Sequence, residues 1–398
     1  MLSTDADQPA ALQSARFLWL YALAAAGGAV AYVPFLTILL PERIAVFAGQ
    51  EKVETLAYGA FAGAIAASLA NIGFGWASDR TASRRPWIYT GLVLSSILIV
   101  AMREVDSLTT LLVMLVCWQI ALNMMLGPLS AWAGDHVPDA QKGFLGGLLA
   151  FAPALGALSA AIVTIPSLAE ADMRLIIVAL LVATMVLPVM LFGKPRRMPQ
   201  LMETDATPEP RPATGRITIA RMWVARLLVQ IAEAALFAFL LFWFRSIDEA
   251  VTDNDTALVF AIVLGLSVPL ALFAGRWSDR GNRPFRPLTL GAGLGAVGLV
   301  AMAAADDLST GIAGYILFGL ATSVFLALHS AQTLRVLPKP KTRGRDLGLF
   351  NLTNTVPSLI MPWLTLAMVP VLGFSALFLL LAVLCAVACV ILWTIQRR

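Results

Sequence analysis

Charged side chains are scarce in this sequence. Asp, Glu, Lys and Arg make up 13% of its 398 residues, where a soluble domain carries about 25%. Histidine occurs twice, as His136 and His329, and cysteine three times, as Cys117, Cys385 and Cys389, each thiol inside an apolar run. Two distant histidines, and thiols without histidine or carboxylate neighbours, make no metal-ligand cluster. Thiols inside apolar runs also lack an aqueous partner for a disulfide framework. A Walker-type loop and a nucleophile elbow are both missing. No enzyme activity, metal or cofactor is therefore expected, and no work driven by ATP at a Walker site. The formal net charge is +4, but the basic residues are spread through short loops, so no nucleic-acid partner is expected either.

Apolar side chains are what the chain has in excess, at 59% against about 45–50% for a soluble domain. A globule of this size has too little interior to hide them, so lipid must take the remainder and the bilayer is the first expected partner. A helix needs about 20 apolar residues to cross a bilayer. Twelve such runs are present, at 17–40, 55–77, 86–102, 108–132, 143–166, 172–192, 219–244, 256–277, 285–304, 308–334, 346–369 and 372–395. The first fifteen residues are polar and lack a basic n-region. The run that follows from Phe17 is too long for a signal-peptide core, so it reads as the first retained span.

From Gly193 to Ile217 the chain is polar and proline-rich, with Lys194, Pro195, Arg196, Arg197, Pro199, Pro208, Pro210 and Pro212. A flexible linker at 193–218 is expected there, joining one six-helix bundle at 1–192 to another at 219–398. With both termini in the cytoplasm, the inner loops collect Arg80, Arg84, Arg85, Lys142, Arg276, Arg280, Arg283, Arg286, Arg335, Lys341, Arg343 and Arg345. The outer loops hold mainly acids, among them Glu51, Glu54, Asp106, Glu170, Asp248, Asp253, Asp306 and Asp307. That bias predicts cytoplasmic termini in a cell (inner) membrane.

An internal repeat supports two halves. Gly75, Ser78, Asp79 and Arg80 return as Gly275, Ser278, Asp279 and Arg280, and Val137-Pro138 returns as Leu337-Pro338, each at an offset of 200. The turn Gly-x-x-x-Asp-Arg followed by Arg-Arg resembles the signature between the second and third helices of the major facilitator superfamily. It occurs once in each half. Within that superfamily, Ser78-Asp79-Arg80 with Arg84-Arg85-Pro86-Trp87-Ile88 is most similar to the sucrose/cation symporters and their glycoside-type relatives. The turn Arg343-Gly344-Arg345-Asp346-Leu347-Gly348, followed by Asn351, is similar in the same way. The chain departs from that pattern at Thr81-Ala82-Ser83, which stands where a mid-loop glycine is usual. The second copy is two residues shorter, and the second span lacks the Asp that sodium-coupled members carry. The resemblance implies an all-α membrane protein of twelve transmembrane helices in two pseudo-symmetric six-helix bundles, acting as a monomer.

Asp79 is placed where its carboxylate meets the positive end of the eleventh helix, beginning near Arg345. Arg80 and Arg85 are expected to pair with loop acids. With Asp279 and Arg280 these form a candidate gate that breaks when the protein opens; the alternative is that the arginines only set topology. The seventh span carries Arg226, Gln230 and Glu233, whose spacings of four and three put them on one helical face. Glu233 lies near mid-membrane, and ionisable groups there usually face an aqueous cavity. Three roles stay open for it: proton coupling together with Arg226, hydrogen bonding to substrate, or a structural pair.

The resemblance implies that the first, fourth, seventh and tenth helices line a central cavity. Projected onto this chain, they offer Tyr21, Tyr32, Gln119, Asn123, Gln230, Thr322 and His329, with Asn71, Asn351 and Asn354 on neighbouring helices. Amides, hydroxyls and aromatic faces suit a sugar or another polyol, although each isolated amide also fits an interhelical hydrogen bond. The expected activity is secondary transport of a small polar solute, sugar or glycoside, coupled to protons by alternating access. An exporter of drugs or metabolites, or a non-transporting receptor or assembly factor, are the alternatives.

Overall fold

The computed structural model describes residues 12–48, 52–165, 170–198, 201, 215–251, 253–281, 283–337 and 340–396. Most of the expected linker, with Pro199, Pro208, Pro210 and Pro212, lies outside these residues. The described chain is helical. Helix α1 runs Ala15–Ala48, α2 Lys52–Arg80, α3 Arg85–Ala101, α4 Leu108–His136, α5 Asp139–Val163 and α6 Ala171–Phe192. In the second half α7 runs Arg216–Ile247, α8 Asp253–Arg280, α9 Arg286–Ala303 and α10 Leu308–Val336. The last stretch, Arg343–Gln396, is two helices joined at Gly373, whose φ of 76° only glycine adopts without strain. We label them α11, 343–372, and α12, 374–396. Among the described residues ten helices are long and apolar enough to span a bilayer, and α7 adds an eleventh if its segments Arg216–Leu236 and Phe239–Ile247, bent by 56°, form one span. The chain is an integral membrane protein.

Local chemistry sets the ends and the breaks. Ser107 caps α4 and Asp307 caps α10, each through a side-chain oxygen that accepts from the amide three residues on, Thr110 at 3.3 Å and Thr310 at 2.9 Å. These two 29-residue helices start and stop 200 residues apart, so the repeat seen in the turns extends to whole helices. Pro34 has no N–H to give the Val30 carbonyl, and a π-turn at Phe35–Leu39 follows it. Helix α5 breaks at Ala150, three residues before Pro153, for the same reason.

Two clusters of buried apolar side chains form, one per half. The first draws on residues from Phe17 to Val189 and is joined from the other half by Leu334, with Leu272 and Leu347 packed against it. The second draws on residues from Met222 to Ile395 and is joined by Ala150. The halves meet at the end of the bundle that carries Asp79 and Asp279, here called the basic end. There α2 crosses α11 and α5 crosses α8, with backbones in contact. A Cβ on Gly75 would stand 2.3 Å from the Gly344 carbonyl oxygen, and one on Gly275 would stand 2.1 Å from that of Gly143. Neither crossing can form with any residue but glycine.

Candidate functional site

Asp79 lies at the end of α2, and its side chain is 1% exposed. Oδ1 accepts from the Gly344 amide at 2.9 Å and Oδ2 from the Arg345 amide at 3.0 Å, at the start of α11. Asp279, at the end of α8, accepts from the Gly143 and Phe144 amides of α5 at 2.9 and 2.8 Å. Each carboxylate thus accepts two backbone amides of the other half's helix, and those of Asp79 belong to the first turn of α11, where the helix dipole favours its charge.

The arginines depart from expectation. Among the described residues Arg80 and Arg85 pair with no loop acid: the Arg80 guanidinium lies 5.1 Å from the Trp76 ring, while Arg85 lies 5.4 Å from the Trp132 ring and donates to the Gly193 carbonyl. Arg280 is exposed with no ion pair among the described residues. It is Arg84 that folds inward. Its Nη1 lies 2.7 Å from Asp79 and 2.6 Å from the Ser78 hydroxyl, and its Nε lies 2.9 Å from Asp135. Burial opposes its charge, but Asp135 and Asp79 outweigh burial and hold the guanidinium above its usual pKa. Asp135 also takes Arg343 of α11 at 2.6 Å, so one carboxylate ties α3, α4 and α11 together across the two halves. In the second half Arg335 occupies the place 200 residues after Asp135 and pairs with Asp279 at 2.9 Å. Sequence reasoning missed Asp135, Arg335 and Arg343 as partners of the gate. The 200-residue offset, applied to the ends of α4 and α10, was the signal available.

Beyond this closed end lies a cavity of about 850 Å³ between the halves, within the span of ligand pockets, about 300–1,000 Å³. It reaches from Ala133, Leu145, Leu334 and Leu347 near the basic end to Leu36, Leu40 and Leu56 near the other. Tyr21, Tyr32, Asn71, Gln119 and Asn123 line it from the first half, and Arg226, Gln230, Glu233, Asn351 and Asn354 from the second. The α7 stripe therefore faces the cavity. Asn71 donates to Asn123 at 2.9 Å, and Asn123 donates to the Gln119 carbonyl at 2.9 Å. The Gln119 carboxamide itself bonds to none of the described residues. Asn354 is the hub of the opposite wall: its Oδ1 accepts from Gln230 at 2.6 Å and from Arg226 at 3.2 Å, and it donates to Asn351 at 2.8 Å. The Ser68 and Thr355 hydroxyls meet at 2.9 Å across the two halves.

Arg226 and Glu233 do not form a pair. Two helical turns, about 10 Å, separate them. Arg226 is 9% exposed and donates to the Leu326 carbonyl at 3.3 Å, to Ser330 at 3.1 Å and to Asn354, all neutral. Glu233 is half-buried and accepts from the Thr322 hydroxyl at 2.6 Å. Each instead reaches neutral partners on other helices, Arg226 on α10 and α11 and Glu233 on α10.

Thr322 and His329 correct the expectation that both line the cavity. Each is 0% exposed. Both lie on the face of α10 turned toward α7, behind the lining. Thr322 holds Glu233. The His329 ring lies 3.1 Å from the Met222 carbonyl and 3.4 Å from Arg226, so it supports the guanidinium from behind.

Residues 222–398 match the sequence profile of the Major Facilitator Superfamily. No curated protein matches the chain. Solved structures similar in shape include the human organic anion transporter MFSD10 (TETRAN), at 14% identity over 94% of this chain and 98% of that one, with a TM-score of 0.73. The superfamily transporter FucP in its outward conformation is 15% identical over 96% and 99%, also at 0.73. The proton:xylose symporter XylE is 13% identical over 95% of each chain, at 0.72. At these identities the likeness establishes the fold, and the fold is the major facilitator fold of twelve helices in two pseudo-symmetric bundles.

Proposed function

We propose that the chain is a secondary transporter of the major facilitator superfamily, moving a small polar solute by alternating access. The observation that carries this reading is the cavity between the halves, lined by polar groups from both and shut at one end by two matching helix crossings. The bundles at 1–192 and 219–398 are the moving units and 193–218 is their tether. The basic end faces the cytoplasm, with both termini, in a cell membrane, so the conformation described is open to the outside. The protein works as a monomer.

The solute is a sugar or glycoside. Gln119, Asn71, Asn123, Gln230, Asn351 and Asn354 offer amides on both walls, and Tyr21 and Tyr32 offer aromatic faces. The turn sequences similar to sucrose/cation symporters support the same class. So do two of the similar structures, a fucose:proton symporter and a proton:xylose symporter, by what they themselves carry. Glu233 is the proton carrier: it lines the cavity, accepts from the neutral Thr322 hydroxyl and has no ion pair among the described residues. Its proton can exchange with whichever side the cavity faces, while Arg226 orders the wall through Asn354.

One observation favours a second reading. Among the described residues Arg226 has only neutral partners, and a guanidinium so placed also suits an acidic solute, as an exporter of organic anions would carry. Counterflow in proteoliposomes loaded with sugars, glycosides or organic acids separates the readings. Sugar or glycoside counterflow is expected. Binding of a solute without any counterflow would make the protein a receptor and overturn transport.

A further inference from the structure

The α8–α9 turn encloses a second pocket of about 260 Å³, lined by Trp277, Ser278, Gly281, Arg283 and Arg286. None of these residues lines the central cavity. The pocket arises where the second copy of the repeated turn departs from the first. In the first copy the buried Ser78 hydroxyl donates to the Gly75 carbonyl at 2.8 Å, and Arg84 folds inward to donate to it at 2.6 Å. Asp135, on α4, draws it there. In the second copy the matching place on α10 holds Arg335, which already pairs with Asp279. Another inward guanidinium would meet a like charge in a buried setting. Arg283 and Arg286 are accordingly exposed, and neither has an ion pair among the described residues. Ser278 is 1% exposed, and its hydroxyl has no hydrogen-bond partner among the described residues. Buried hydroxyls are rarely left so.

We propose that this pocket binds a phosphate group. Two guanidinium forks match phosphate geometry and keep their charge at any working pH. The Ser278 hydroxyl supplies a further donor at the floor, and the Trp277 ring forms the apolar wall. The group belongs either to the headgroup of an anionic phospholipid or to free phosphate. Trp277 is 43% exposed on the outer surface of a spanning helix, a position that sets acyl chains within reach of the same pocket.

The test uses the full chain, purified in detergent and delipidated. Native mass spectrometry reads bound phosphatidylglycerol and phosphatidylcholine, and a thermal-shift titration reads inorganic phosphate. Wild type is compared with the double variant Arg283→Gln, Arg286→Gln and with Ser278→Ala, with Arg80→Gln as a control in the other turn. The arginines are exposed, so the double variant should keep its fold, and a monodisperse elution profile checks this. Retained phosphatidylglycerol but not phosphatidylcholine, reduced at least tenfold in the double variant and less in Ser278→Ala, supports a lipid headgroup. A phosphate-dependent shift lost in the same variants, without lipid retention, supports free phosphate. Equal binding of both probes by wild type and the double variant, or an equal loss in Arg80→Gln, overturns the site. The readout does not depend on transport, so it stands or falls apart from the central cavity.

Discussion

Asp79→Asn tests whether the basic end is held shut by a carboxylate on a helix terminus. The replacement keeps the shape but removes the charge, and it turns one of two acceptors into a donor. In the closed structure both oxygens accept backbone amides of α11 at 2.9 and 3.0 Å, and the side chain is 1% exposed. Asparagine can satisfy one amide, and its own NH₂ then faces the other. A hydrogen bond to a charged group contributes about 1.5–3 kcal/mol, and a buried donor left unmade costs about 1–3 kcal/mol. Arg84 retains Asp135, so part of the buried network survives. The closed form should therefore lose about 3 kcal/mol, which at about 1.4 kcal/mol per decade is roughly a hundredfold in the closed-to-open ratio. These contacts join the halves and leave each core intact, so insertion and folding should be spared. Spin labels at Thr81→Cys and Lys341→Cys, both exposed at the basic end, report the ratio once the three native cysteines are replaced. A longer-distance population should grow in Asp79→Asn, and solute transport should slow. Asp279→Asn should add independently, since it acts at the other crossing. An unchanged distance distribution together with an unchanged transport rate would refute the reasoning.

Three further outcomes are expected. Glu233→Gln should abolish accumulation driven by a pH gradient and leave counterflow at or above a tenth of wild type; retained accumulation in proteoliposomes would remove Glu233 as the proton carrier. Asn354→Ala deletes the acceptor shared by Arg226 and Gln230, one bond of which is to a charge worth about 1.5–3 kcal/mol. Solute affinity, read by thermal shift, should fall by about tenfold or more, and an unaltered affinity would place the solute elsewhere. Asp307 caps α10 outside the membrane, where Ser309 and then Thr310 hold its carboxyl down at about 2. A value below the ordinary 3.8 means that the cap is fully formed above that pH and is lost as pH falls toward about 2. The protection factor of the Thr310 amide should fall across that window and should flatten in Asp307→Asn.

Much of the fold is legible because lipid makes it so: a span must be apolar for about 20 residues, and no other element carries that signature. The 200-residue offset extends beyond the turns that reveal it, to the caps and ends of α4 and α10. Of the site, the α7 stripe was readable because spacings of four and three leave one face, and a membrane helix keeps its ionisable face away from lipid. Thr322 and His329 were not readable, because α10 is polar on two faces and only its rotation against α7 decides which meets the cavity. Arg84 escaped notice among three neighbouring arginines. The choice between them is made by the path of the turn, where Ala82 takes a left-handed φ of 47°, and by Asp135 about 50 residues away. Contacts set by tertiary partners leave no trace in local spacing.

The most direct test of the account is the side from which the cavity can be reached. Ala64 lines it from α2. In a background without native cysteines, Ala64→Cys in oriented membranes should react with an impermeant thiol reagent from the side opposite the basic end. Adding Asp79→Asn and Asp279→Asn should bring reaction from the basic side as well. Labelling from one side alone in both proteins, or from neither, would contradict a cavity that two rocking halves expose in turn.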